Sequence, residues 1–183
     1  MNEMVRMVVV LSLICGVCAL ALSGLRSATA DQIERQILTY LEGPTVRTVL
    51  EGAENDLIED RQKVEIDGKE MTLFAPKRNG ENSGVAYETV GSGFGGDILV
   101  MVGYDLTEDE LTGVQIVSHK ETPGIGSKIT MDQYTRSFIG MPLSSDFRMK
   151  SEGGDLDAIT GATYSAQGRA EAIRRSVALY PEV

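Results

Sequence analysis

The chain has 183 residues and a formal net charge of −10, with 24% charged residues, 5% aromatic residues and no tryptophan. Residues 1–30 carry +1 (Arg6 and Arg26 against Glu3), which leaves −11 on residues 31–183. A domain this acidic is repelled by nucleic acid and by anionic lipid head groups, which excludes a nucleic-acid partner. The length suits one medium domain, with a core of aliphatics and methionine, once the N-terminal segment is set aside.

Residues 7–25 form a 19-residue run without a charge, long enough to cross a bilayer as one helix after a short tail at residues 1–6. The competing reading is a cleaved signal peptide, since Arg6 precedes the run and Ala28-Thr29-Ala30 comes after it. The run exceeds a usual signal core, which favours a retained anchor, and both readings export the remainder of the chain. Cys15 and Cys18 lie inside this segment, where residues one turn apart act as small apolar positions. The exported part has no cysteine, so it has neither a disulfide framework nor thiolate ligands.

Residues 26–44 read as a linker and a helix. Asp31 caps a helix over 31–41 whose apolar face is Ile33, Ile37, Leu38 and Leu41, and Gly43-Pro44 stops it. Residues 45–63 mix Val and Leu with charges and give no firm pattern. Short strands are expected at 64–66 and 70–75 around an Asp67-Gly68 hairpin turn, then a polar loop at 76–83. Three more strands are expected at 84–90, 97–104 and 111–119, whose short connections favour antiparallel neighbours. Residues 131–139 read as a helix with Met131, Tyr134 and Phe138 inward, and 146–150 as a short strand. Strands in the middle with helices at both ends make an α+β domain.

Two stretches before the C-terminal helix suit a ligand. Gly91-Ser92-Gly93-Phe94-Gly95-Gly96 joins two strands, and its glycines permit either a tight turn or close approach of a ligand to the backbone. No helix comes after it, so it is not a dinucleotide fingerprint. The segment from His119 to Lys128 bends at Pro123-Gly124 and offers Glu121, Thr122 and free amides to a polar ligand. His119 is the only histidine, too isolated for a zinc site and better read as a strand-end residue than as a base. No metal site is expected.

The strongest stretch is Asp157-Ala158-Ile159-Thr160-Gly161-Ala162-Thr163-Tyr164-Ser165, leading into amphipathic helical spacing over 166–179. Thr163 falls at the first turn of that helix, where unpaired amides and a partial positive charge suit a phosphate. Alone, this bend allows an N-cap, a phosphosite or a nucleophile. The pattern Asp-x-x-Thr-Gly-Ala-Thr specifies five positions in seven, a chance match on the order of one in a thousand or rarer.

Asp157-x-x-Thr160-Gly161-Ala162-Thr163 resembles the flavinylation motif of FMN-binding domains, and His119-x-Glu121-Thr122-Pro123-Gly124-Ile125-Gly126 is similar to a second signature of that family. Gly93-Phe94-Gly95-Gly96 with the strand after it resembles its glycine-rich lead-in. Thr160 stands where Ser is common and Ile125 where Leu is common. Within the family the likeness is to G subunits of Rnf-type ion-translocating ferredoxin:NAD oxidoreductases, and more distantly to C subunits of sodium-translocating NADH:quinone reductases.

The resemblance implies a transmembrane helix and one FMN-binding domain at 45–183, with a mainly antiparallel sheet flanked by helices. It implies a single-pass protein of the cell (inner) membrane, with the domain on the extracytoplasmic side. FMN would be joined to Thr163 by a phosphoester, made by a flavin transferase from FAD with release of AMP. Asp157, Thr160, Gly161 and Ala162 would belong to the signal that enzyme reads, with Glu121, Thr122, Gly124 and Gly95 near the flavin. The chain would relay electrons inside a multisubunit translocase. The alternatives are the equivalent subunit of a sodium-translocating NADH:quinone reductase and an exported binding or assembly domain of the same fold without flavin.

Overall fold

The structure is a computed structural model and describes residues 2–66 and 68–182. The chain divides into two units, Met1–Leu38 and Thr39–Val183.

The first unit is one helix, α1 (Glu3–Ile37), ending at Leu38. It holds the expected apolar run and is long and apolar enough to cross a membrane by length and composition. It does not restart at Asp31, which lies inside the helix rather than at a cap.

A π-helical turn (Leu38–Glu42) follows in the chain and leads into α2 (Gly43–Val49) of the second unit. The expected stop at Gly43-Pro44 is therefore a helix start. Proline lacks an N–H, which is no loss in a first turn whose amides have no intrahelical partner, and its φ already suits a helix. The strands come next: β1 (Gln62–Ile66), β2 (Lys69–Phe74), β5 (Gly84–Ser92), β6 (Asp97–Asp105) and β7 (Glu110–Ser118). They form an antiparallel sheet in the order β1-β2-β5-β6-β7. The β1–β2 hairpin turns where expected, with Ile66 opposite Lys69 and Gly68 at φ 72, while Asp67 lies outside the described residues. The polar loop at 76–83 holds a two-residue ladder, β3 (Lys77–Arg78) with β4 (Glu81–Asn82).

The last helix, α4 (Thr163–Leu179), packs on β5 and β6. Its small residues Ala166, Gly168, Ala170 and Ala172 are buried and let it lie close to the sheet. At one point the approach is backbone to backbone: a Cβ on Gly91 would stand 1.8 Å from the Gly168 carbonyl oxygen. Hydroxyls lock the contact, with Thr89 donating to the Ala172 carbonyl, Tyr87 to the Ser176 carbonyl and Tyr104 to the Ser176 hydroxyl. Tyr87, Tyr104 and Tyr180 stack in sequence, and burial pushes the Tyr87 and Tyr104 phenols up. Arg169 is buried from α4 over the Phe138 ring, its guanidinium 3.3 Å from the Tyr134 carbonyl. Burial lowers it to about 10.

Two further expected elements differ. The helix over 131–139 is one turn, α3 (Asp132–Thr135), then a 3-10 turn at Arg136–Phe138. Phe138 is buried, but Met131 is 46% exposed, because it is the extended residue before α3 and not part of a helical face. Residues 146–150 form no strand beyond a single bridge from Met149 to Leu156. Their hydrogen bonds close locally, from Asp155 N–H to the Asp146 carbonyl and from Leu156 N–H to the Arg148 carbonyl, so no ladder extends.

Candidate functional site

Three loops meet beside the first turn of α4: 93–96, between β5 and β6; 119–128, after β7; and 157–162, before α4. Their conformations come from glycine. Gly161 takes φ 80 and Gly124 φ 74, bends that a side chain would strain. Ala162 N–H closes the first of these turns on the Ile159 carbonyl at 2.8 Å, and the helix begins at Thr163. No side chain caps that helix, so neither Thr160 nor Thr163 acts as an N-cap and the first-turn amides stay open. Thr163 and Tyr164 are exposed.

Beneath this turn lies Glu121, only 5% exposed. Its Oε1 accepts from Gly95 N–H at 2.8 Å, and its Oε2 from the Ser165 hydroxyl at 2.6 Å. The carboxylate thus ties the Gly95 loop and its own loop to the first turn of α4. Gly93 and Gly95 cannot be replaced there, since a Cβ on Gly93 would meet Glu121 Oε1 at 2.3 Å and one on Gly95 the Lys120 carbonyl oxygen at 2.2 Å. His119 Nδ1 accepts from Glu121 N–H at 3.1 Å, which ties the lone histidine to its own strand end.

The loops enclose a cleft of about 280 Å³ lined by Glu121, Thr122, Gly161, Ala162 and Thr163 among the expected residues. Gly95 supports it through Glu121, and Gly124 holds its bend by donating to the Ser127 hydroxyl at 2.8 Å. Asp157 and Thr160 do not line it. Asp157 is exposed and pairs with Lys150 at 2.8 Å, while the Thr160 carbonyl accepts from Lys128 Nζ at 3.1 Å. Five lining residues stand outside the expected site set: Phe94, Ile125, Gly126, Tyr164 and Ser165. Phe94 had a signal, an aromatic set among glycines in an aromatic-poor chain. Ser165 had none, because its partner lies 44 residues away.

The cleft has an apolar rim (Phe94, Ile125, Tyr164), a polar floor and a hydroxyl at a helix start. That set fits a planar heterocycle tethered through an anionic group. Among the described residues no group of three or more His, Cys, Asp or Glu side chains is placed to hold a metal ion.

Comparison with known proteins agrees. Residues 93–178, which include the three loops and most of α4, match the family model for the FMN-binding domain. The fold and the match together define an α+β domain of the FMN-binding class. The G subunit of an ion-translocating oxidoreductase complex from Vibrio vulnificus is 30% identical over 161 residues, 81% of this chain and 76% of the relative. Its counterpart from Shewanella oneidensis is 28% identical over 190 residues, 96% of this chain and 89% of the relative. The match to the Aliivibrio fischeri counterpart is 33% identical but spans only 55% of that relative. The chain belongs to the family of G subunits of ion-translocating oxidoreductase complexes. The fold is shared with the C subunit of a Na(+)-translocating NADH-quinone reductase from Parabacteroides distasonis, with a TM-score of 0.56, 16% identity, and coverage of 88% of this chain and 96% of that one.

Proposed function

We propose that this chain is a membrane-anchored electron carrier that holds FMN covalently on Thr163 and relays electrons inside an Rnf-type ion-translocating complex. The observation that carries this reading is the exposed hydroxyl of Thr163 on the first residue of α4, at the cleft, inside Asp157-x-x-Thr160-Gly161-Ala162-Thr163. The family match to an FMN-binding domain and the names of the relatives support it. The α1 helix, long and apolar enough to cross a membrane, supports a single-pass anchor; the extracytoplasmic placement of the domain rests on the family resemblance.

In maturation the Thr163 hydroxyl oxygen attacks the riboflavin-bearing phosphorus of FAD on a flavin transferase. A P–O bond forms, the pyrophosphate bond breaks, AMP leaves and the hydroxyl proton is lost. The resulting phosphodiester carries one negative charge. The open first-turn amides of α4 and the helix dipole favour it by about 0.3–1 kcal/mol. Lys128, anchored to the Thr160 carbonyl, adds a positive charge beside the same turn. Gly161 shapes the bend, and Asp157 and Thr160, outside the cleft, remain available to the transferase. Glu121 fixes the loops, while Thr122 and the bend at Gly124 form the facing wall. When bound, the flavin supplies one- and two-electron transfer, and the protein orients it. A tether suits a carrier outside the cytoplasm, where a lost flavin is hard to replace.

The test is intact-mass measurement after co-expression with a flavin transferase. The expected gain is one FMN less one water, absent in Thr163→Ala. No gain in the wild type overturns the covalent reading and favours a colourless binding domain.

A further inference from the structure

We propose that Phe94 and Tyr164 are the two jaws of an aromatic clamp for the flavin's planar ring, and that the buried Glu121 carboxylate sets their spacing. The proposal rests on the flavin reading above, and its test separates the clamp from the tether.

Phe94 and Tyr164 are 76% and 68% exposed, yet both line one cleft. Large aromatic side chains standing together in water mark a binding surface more often than a folding contact. Phe94 comes from the loop between β5 and β6 and Tyr164 from the first turn of α4, and their ring centroids are 6.2 Å apart with a 45° tilt. A planar ring stacked between two others needs its faces at about 3.5 Å from each, so roughly 7 Å between the jaws. The observed pair is within about 1 Å of that opening, which a small rotation of either exposed side chain provides.

The spacing has a structural cause. Glu121 Oε1 holds the amide of Gly95, the residue after Phe94, and Oε2 holds the hydroxyl of Ser165, the residue after Tyr164. One carboxylate therefore spans the two jaws. The tight seats of Gly93 and Gly95 against residues 120–121 keep the Phe94 loop from sliding. Glu121 is thus a positioning residue, while Phe94 and Tyr164 touch the ligand. Thr163, next to Tyr164, brings a tethered flavin to this mouth.

The experiment uses the full chain with two readouts. First, Thr163→Ala protein, which has no hydroxyl to tether, is titrated with free riboflavin. Saturable quenching is expected, weakened about tenfold by adding Tyr164→Leu or Phe94→Leu. Second, fluorescence per attached flavin is compared in flavinylated protein. Tyrosine quenches an excited flavin by transient electron transfer and phenylalanine does not. Tyr164→Phe should therefore raise the signal roughly threefold or more while leaving the visible circular dichroism of a stacked ring in place. Glu121→Ala should lose that dichroism and Glu121→Gln keep it, since an amide can serve both partners. Unchanged riboflavin affinity and unchanged fluorescence in the jaw variants overturn the clamp. Ring-dependent riboflavin binding without any covalent attachment would uphold the clamp and reject the tether. No flavin bound in either form would reject both.

Discussion

The first turn of α4 and the rest of that helix are built to opposite rules. From Ala166 to Ser176 the helix presses small residues against β5 and β6, and three hydroxyls from the sheet bind its backbone or its Ser176 side chain. At Thr163 and Tyr164 the same helix faces solvent, uncapped, with open amides and a free hydroxyl. The packed part holds the helix still, and Thr163 and Tyr164 can stay open to solvent because the packing does not depend on them. Rigidity in one segment makes exposure possible in the next.

Breaking the packed part should cost most. Gly91→Ala would drive a Cβ to 1.8 Å from the Gly168 carbonyl oxygen, where only backbone movement relieves the clash. A loss of about 3 kcal/mol or more is expected, read by chemical denaturation. Next comes the strut below the open part. Glu121→Ala leaves the Gly95 amide and the buried Ser165 hydroxyl without their acceptor, a loss of about 2–3 kcal/mol in the same assay.

The sheet behind the packed part responds to pH. Burial, with the Glu42 carboxylate nearby, pushes Glu88 on β5 from its ordinary 4.5 up to about 7. The folded protein then keeps a proton that the unfolded chain releases, so stability falls as pH rises from 4.5 through 7. Glu88→Gln should be more stable than wild type by about 2 kcal/mol near pH 8, with the gain gone near pH 4. Equal pH profiles for the two proteins would refute this.

Smaller effects complete the contrast. Tyr104→Phe removes the donor to the Ser176 hydroxyl and should cost about 1 kcal/mol, as thermal melts would show. Thr163→Ala should change stability by no more than about 0.5 kcal/mol, because its side chain is exposed and caps nothing. That same substitution should abolish flavin attachment. A large loss of stability there would contradict the division between the two parts of α4.

Local pattern was enough for much of this. The charge-free run of 7–25, the strands 84–90, 97–104 and 111–119, and the helix after Thr163 were all legible, because apolar runs between turn residues and helical spacing are local features of the sequence. The stop at Gly43-Pro44 misled because the same two residues end a helix or begin one, depending on what precedes them. The strand at 146–150 failed because its hydrogen bonds go to residues 155 and 156, which an apolar count cannot foresee.

The amino-acid sequence by itself determined the α+β class, most strands of the sheet, the helix start at Thr163 and the bend from Glu121 to Gly126. It could do so because these depend on neighbours a few residues away. Only the tertiary structure decided that Glu121 binds Gly95 and Ser165, that Phe94 faces Tyr164, and that Asp157 turns to Lys150 rather than into the cleft. The Glu121 and Phe94 contacts join segments far apart in the chain, and the Asp157 pairing depends on how its own loop turns, so chain folding alone sets these distances.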